Sequence, residues 1–258
     1  MMYISATQNH AETAAVGPRP ATADKAGPPM RKIGYQQALA MVRLQDAHNR
    51  RANDNWIVSG YPQLRGMLVE AVEALDHHGW KWWSSQPCDF SQMQVELVDI
   101  LHFLLSHVIG ECDGDLEAAA AALVEYSNPG LSSCIFAGRE YVIGSCDIPQ
   151  LLELIAAFAI CRRINLPLLE ATFHACGMNW DAVANLYASK HVLAIFRQDH
   201  GYKEGFYTKT WAGKEDNIHL VELASFLDPA APDFQLRLYR KLEERYASPS
   251  LAAAGAGP

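Results

Sequence analysis

The stretch from Met93 to Leu105 most constrains the fold, because its apolar residues point in nearly every direction around a helix. A helix that is apolar on all sides is a buried one. This segment therefore predicts a central helix that is covered by other helices. Glu96 and Asp99 lie within it, and burying either carboxylate without a cation or metal would cost roughly several kcal/mol.

The remainder of the chain has helical length and period in almost every segment, while strand-like alternation is scarce. We predict helices over about 34–50, 61–78, 90–109, 115–126, 148–163, 166–176, 179–198 and 231–245. Segment 127–147, with Asn128-Pro129-Gly130, is predicted as a loop or small excursion. The fold class is therefore all-α, a helical bundle. Residues 31–245 form its domain, in which 127–178 is a possible mobile part, between disordered tails at 1–30 and 246–258.

A second pair of carboxylates, Glu70 and Glu73, has the same three-residue spacing on the preceding predicted helix. Positions three apart share a helix face, so each pair can direct two carboxylates at one point. Oxygen ligands of this kind suit Mg²⁺, or Mn²⁺, better than zinc. Taken alone, Glu70 and Glu73 are more typical of a solvated face, whereas the buried position of Glu96 and Asp99 favours metal over salt bridges. Lys81 is the main basic candidate for such a salt bridge.

Two further runs of residues suggest what kind of ligand the metal would bind. Residues 80–83 read WKWW, and their indoles either close the core or stack on a base. Residues 190–217 hold five fixed cations within 25 residues of an otherwise acidic chain of net charge −8. This run indicates a polyphosphate site, the alternative being a solvated loop after a helix that ends near Arg197. His102 is more typical of a hydrogen-bonded core residue than of a group that orients a carboxylate or water.

Other features exclude functional classes. The net charge argues against general binding to nucleic acid or anionic membranes, and no apolar run reaches the roughly 18–20 residues that span a bilayer. The first twenty residues lack a cationic segment followed by an apolar one, so we do not expect them to be a secretory signal. Six scattered cysteines without a CxxC pair favour free thiols in a reducing cytoplasm. Asp76-His77-His78 is a weak metal motif, and the chain has no P-loop.

Four motifs together resemble the dimeric all-α dUTPases, a branch of the all-α nucleotide pyrophosphohydrolases that includes the MazG-like enzymes. These motifs are LQDAHN (44–49), VEAVEALDHHGWKWW (69–83), VELVDILHF (95–103) and FRQDHGYKEGFYTKTWAGKEDN (196–217). The resemblance spans about 34–245 and matches least over 127–178. It implies a Mg²⁺-dependent homodimer that hydrolyses dUTP, and dUDP as well, to dUMP, releasing pyrophosphate or phosphate. This activity limits uracil in DNA and supplies dUMP.

The resemblance also implies residue roles. The metal ligands would be Glu70, Glu73, Glu96 and Asp99, with Glu70 preferred over Glu73 as the base that activates water. Phosphate contacts would come from Lys190, Arg197, Tyr202, Lys203, Lys209 and Asn217. The base would be read by Gln45 and Asn49 and stacked on Trp80 or Trp83. Two positions depart from the family pattern, His48 where relatives commonly carry an apolar residue and Ala194 where they commonly carry Asn. Two alternatives remain open, a related enzyme for dCTP or a broad set of dNTPs, and a non-catalytic helical dimer.

Overall fold

The computed structural model describes residues 30–247, and these form a helical bundle. The predicted tails lie outside the described residues, apart from Met30, Tyr246 and Ala247. The described helices are α1 (Tyr35–Ala52), α2 (Gln63–His77), α3 (Phe90–Glu111), α4 (Leu116–Tyr126), α5 (Ile148–Ile160), α6 (Leu166–Ala175), α7 (Trp180–Asp199), α8 (Asp216–Ala224) and α9 (Phe234–Ala247), with a 3₁₀ turn at Ile143–Ser145. The all-α prediction is confirmed.

The central helix is α3, as its apolar sequence predicts. Asp89 caps its first turn by accepting a hydrogen bond from the Gln92 backbone N–H at 3.1 Å. Its side chains pack into the main core together with those of α1, α2 and α4 to α6. Contrary to the sequence-based expectation, α3 is long and apolar enough to cross a membrane, the one such helix among residues 30–247. Of its most apolar window, 67% is buried inside the fold, as in the core helix of a soluble protein.

The close approach of α2 to α3 depends on a glycine. A Cβ atom added to Gly66 would lie 2.4 Å from the Phe103 ring, well inside van der Waals contact. The absence of a side chain at Gly66 therefore lets the Phe103 ring lie against the α2 backbone. This contact brings the carboxylate-bearing faces of the two helices together.

A second, smaller core lies at the C-terminal end of the described chain. Helix α7 contributes Val192, Leu193 and Phe196 to it, and α8 and α9 supply Leu220 and Leu238. Helix α7 thus spans both cores, because its N-terminal half packs in the main one through Val183 and Tyr187.

Several elements differ from the predicted ones. Segment 127–147 contains a two-stranded antiparallel hairpin, β1 (Ser133–Phe136) and β2 (Arg139–Val142), in which Ser133 pairs with Val142. Helix α7 continues two residues beyond Arg197. The basic run then forms a second short hairpin, β3 (Thr210–Trp211) and β4 (Lys214–Glu215), which leads directly into α8. Helix α8 was not predicted, because its nine residues follow a polar loop and offer only two turns of apolar pattern.

Candidate active site

A cavity of about 620 Å³ lies between the two cores. Helices α1, α2 and α3 form one side of it, while α7, the loop after α7 and the start of α8 form the other. Its lining includes most of the predicted site residues: Gln45, Asn49, Glu70, Glu73, Glu96, Asp99, Lys190, Arg197, Tyr202, Lys209 and Asn217. Residues more than 170 positions apart in the chain therefore meet in one cleft.

Three carboxylates converge at the centre of the cavity. Glu70, Glu96 and Asp99 each offer an oxygen, and these oxygens lie within 4.8 Å of one another. Burial and the charges of Asp99, Glu96 and Glu73 raise the pKa of Glu70 to about 8. Burial also raises the pKa of Asp99, although Lys190 opposes that rise. So many anions at one point are unfavourable without a cation, and oxygen donors alone fit a hard divalent ion.

The predicted salt-bridge partner of the buried carboxylates was wrong. Lys81 Nζ pairs with Asp76 Oδ1 at 2.5 Å, away from the cluster. The cation at the cluster is Lys190, which is 4% exposed and places its Nζ 2.7 Å from Asp99 Oδ2. It also donates to Asn217 Oδ1 at 2.9 Å. Lys190 therefore carries a buried positive charge from α7 to the carboxylates of α3.

Arg197 is fixed by its neighbours. Its guanidinium donates to Asp216 at 2.8 and 2.7 Å, and Tyr207 donates to the same carboxylate at 2.8 Å. Burial would raise the pKa of Asp216, but the bonds and charge of Arg197 lower it overall. Asp216 is 1% exposed and is the first residue of α8. The buried ion pair therefore connects α7 to the start of α8.

One predicted phosphate contact, Lys203, and the predicted stacking indoles, Trp80 and Trp83, lie elsewhere. Lys203 is exposed and contacts the backbone oxygen of Ala52 at 3.5 Å. Trp80 and Trp83 form an edge-to-face pair at 5.2 Å on the surface, and neither lines the cavity of the single chain. The Phe103 ring does line it, which sequence reasoning missed although Phe103 belongs to the quoted VELVDILHF motif.

A network of hydrogen bonds orients the amides on α1. Tyr187 Oη donates to Gln45 Oε1 at 2.8 Å, and His102 Nδ1 lies 2.7 Å from the same oxygen. Burial lowers the pKa of His102 well below its usual value, so its ring is neutral and Nδ1 carries the proton that it donates. Gln45 Nε2 then donates to Asn49, which donates to Ser106 Oγ at 2.9 Å.

The structure also brings to the cavity residues to which the sequence analysis assigned no ligand-binding or catalytic role. His77 Nε2 lies 3.7 Å from Glu96 Oε1, and that contact raises the pKa of His77. Further lining residues are His48, Gln63, Asp76, Ser106, Ala194, Gln198, Glu215 and Asp216. Asp76 and His77 belong to the motif dismissed as weak, and their position next to Glu73 in sequence was the available signal.

The raised pKa of Glu70 predicts how stability of the metal-free protein depends on pH. A carboxyl group whose pKa rises from 4.5 to about 8 on folding favours the folded state at low pH and loses that contribution as pH rises through about 8. We therefore expect Glu70→Gln to stabilise the protein in EDTA at pH 9 by about 1–3 kcal/mol, after discounting for partial exposure. At pH 5 the variant and the wild type should be alike.

Urea unfolding at pH 5, 7 and 9 measures this difference. Glu117→Gln is the matched control, because Glu117 is exposed and its ion pair within the described residues 30–247 is with Arg43 at the surface. Its effect should be small and should not grow between pH 5 and 9. An equal gain for both variants would contradict a buried, strained Glu70.

A family model described as dUTPase matches residues 37–202, about two thirds of the chain. No curated protein sequence matches the chain. The matched range includes all of α2, α3 and α7 and all but the first two residues of α1.

Proposed function

The chain belongs to the all-α dUTPase family and is an enzyme that hydrolyses dUTP, and we propose that it uses Mg²⁺ and releases dUMP and pyrophosphate. We extend this to dUDP, which would yield dUMP and phosphate. The observation that carries the metal proposal is the convergence of Glu70, Glu96 and Asp99 within 4.8 Å. Mn²⁺ would satisfy the same oxygen donors.

The residues divide into roles along the cavity. Glu70, Glu96 and Asp99 would hold the metal, with Glu73 beside them, and the bound ion would polarise phosphoryl oxygens of the substrate. Glu70 is our preferred base, because its carboxylate converges with those of Glu96 and Asp99, where the metal would hold the attacking water. Glu73 remains the alternative.

Cations on the opposite wall would bind the phosphates. Lys209 and Tyr202 line the cavity, with Lys209 Nζ 5.7 Å from the centre of the Tyr202 ring. Lys190 lies deeper and contacts Asp99, so it would neutralise charge where the phosphates meet the carboxylates. Arg197 is already paired with Asp216, so its main role would be to hold the residues of this wall in position.

The amides on α1 favour uracil over cytosine. Because Tyr187 and His102 occupy Gln45 Oε1, the group that Gln45 can offer to a ligand is its second N–H. An N–H donor pairs with the C4 carbonyl of uracil and opposes the C4 amino group of cytosine. We place the base here, with Phe103 as the ring available for stacking.

A panel of dUTP, dCTP, dTTP and dATP with Mg²⁺ tests this function. We expect dUTP to have the highest kcat/KM, with dCTP lower by about 10²-fold or more because two donors would face each other. Product analysis should find dUMP and pyrophosphate in equal amounts. Equal turnover of dCTP would instead support the broad dNTP alternative.

We further propose that a second copy of the chain covers an exposed apolar surface. Exposed apolar side chains concentrate on α2 and the segment after it: Val69, Val72, Trp80, Trp82 and Trp83. Trp82, 88% exposed, forms an edge-to-face contact with Trp83 at 5.5 Å. Such a patch is typical of an interaction site. Sedimentation of the purified chain as a monomer would contradict the dimer.

A further inference from the structure

His48 lies where two cavities meet. It lines the catalytic cavity and also a smaller one of about 260 Å³ in the groove between α1 and α7. On α7 the two cavities take neighbouring residues, since Ala194 lines the catalytic cavity and Ile195 lines the smaller one. His48 is the residue that lines both.

The neighbours of His48 on α1 are locked by hydrogen bonds, whereas its own ring is held by packing. Gln45 and Asn49 take part in the network that ends at Ser106. The His48 ring lies 6.4 Å from the His102 ring and 5.9 Å from the His191 ring, and its buried Nδ1 has no hydrogen-bond partner among the described residues. Its removal would therefore break no polar contact that involves Nδ1.

His48 also lies in the position that a bound base would reach. Gln45, His48 and Asn49 all line the catalytic cavity, and the three-residue spacing from Gln45 to His48 puts those two side chains on one face of α1. Beyond it, the smaller cavity is bounded by His191, Arg51 and Asp54. This second space would accept a substituent if the wall were removed.

We propose that His48 determines specificity as the wall of the base end, excluding nucleotides whose pyrimidine carries a group larger than hydrogen at carbon 5. The inference rests on the proposed function, because it takes the amides of Gln45 and Asn49 as the base site. The volume of the imidazole, which separates the two cavities, is what excludes the larger base. A methyl or bromine substituent would enter the smaller cavity once His48 is shortened.

The test measures kcat/KM for dUTP, dTTP and 5-bromo-dUTP with the wild type and three variants. His48→Ala removes the wall. We expect it to raise the kcat/KM for 5-bromo-dUTP relative to that for dUTP by about 10–100-fold, the range by which a tight pocket discriminates against one small group. His48→Leu keeps a side chain of similar bulk without nitrogens and should retain the wild-type ratio. His191→Ala enlarges only the smaller cavity and should also retain it.

Dissociation constants of dUMP and 5-bromo-dUMP, measured by calorimetry, give a readout that needs no turnover. They should show the same change in ratio for His48→Ala, so a slow variant still reports on the wall. An unchanged ratio in His48→Ala overturns the proposal, as does a His48→Leu variant that relaxes selectivity equally. If the wild type fails to hydrolyse dUTP, the proposed function fails, whereas the binding ratio still tests the wall.

Discussion

Glu96→Gln should lower kcat/KM for dUTP by about 10³-fold while leaving the protein folded. Glu96 is 4% exposed, and its carboxylate is one of the three that converge in the cavity. Glutamine has nearly the same shape but lacks the negative charge, so it weakens the hold on a divalent cation. The initial rate of pyrophosphate release at saturating Mg²⁺ measures the loss.

The same variant separates an enzyme from a non-catalytic helical dimer. Removing one of several clustered anions relieves repulsion, so the metal-free Glu96→Gln protein should be at least as stable as the wild type. Glu111→Gln, on the same helix but exposed at its far end, should change neither rate nor stability. Hydrolysis at the wild-type rate by Glu96→Gln would show that the carboxylate cluster has no part in the reaction.

Asp216→Ala should produce the largest loss of stability, about 3–5 kcal/mol in the free energy of unfolding. The substitution leaves the largely buried Arg197 guanidinium without its partner and removes the acceptor of Tyr207. An uncompensated buried charge is costly because the interior solvates it poorly. Urea unfolding followed by circular dichroism gives the value.

Glu222→Ala is the matched control on α8. Glu222 pairs with Lys214 and Arg245 at the surface, where ion pairs contribute roughly 0–1 kcal/mol. The double variant Arg197→Met with Asp216→Leu should be more stable than Asp216→Ala, since an apolar pair leaves no buried charge. A loss below about 1 kcal/mol for Asp216→Ala would mean that water reaches this pair in solution.

Periodic patterns within long segments of the sequence predicted most of the architecture. The central position of α3 followed from its apolar residues, and the all-α class followed from the period of nearly every segment. The short elements were not predicted, because β1 and β2 have four residues each and α8 has nine. At such lengths one or two turns of pattern do not distinguish a helix or strand from a loop.

The sequence by itself determined that Glu96 and Asp99 lie on a helix with almost no polar face, so that each carboxylate needs a cation or a metal. Glu70 and Glu73, taken alone, remained typical of a solvated face. The tertiary structure decided which charged groups pair with the carboxylates of the site. It brought Lys190 rather than Lys81 to Asp99, fixed Arg197 on Asp216, and left Trp80 and Trp83 outside the cavity of the single chain. It also placed His48 between two cavities. Periodicity specifies the direction of a side chain from its own helix, whereas these partners depend on how distant helices pack.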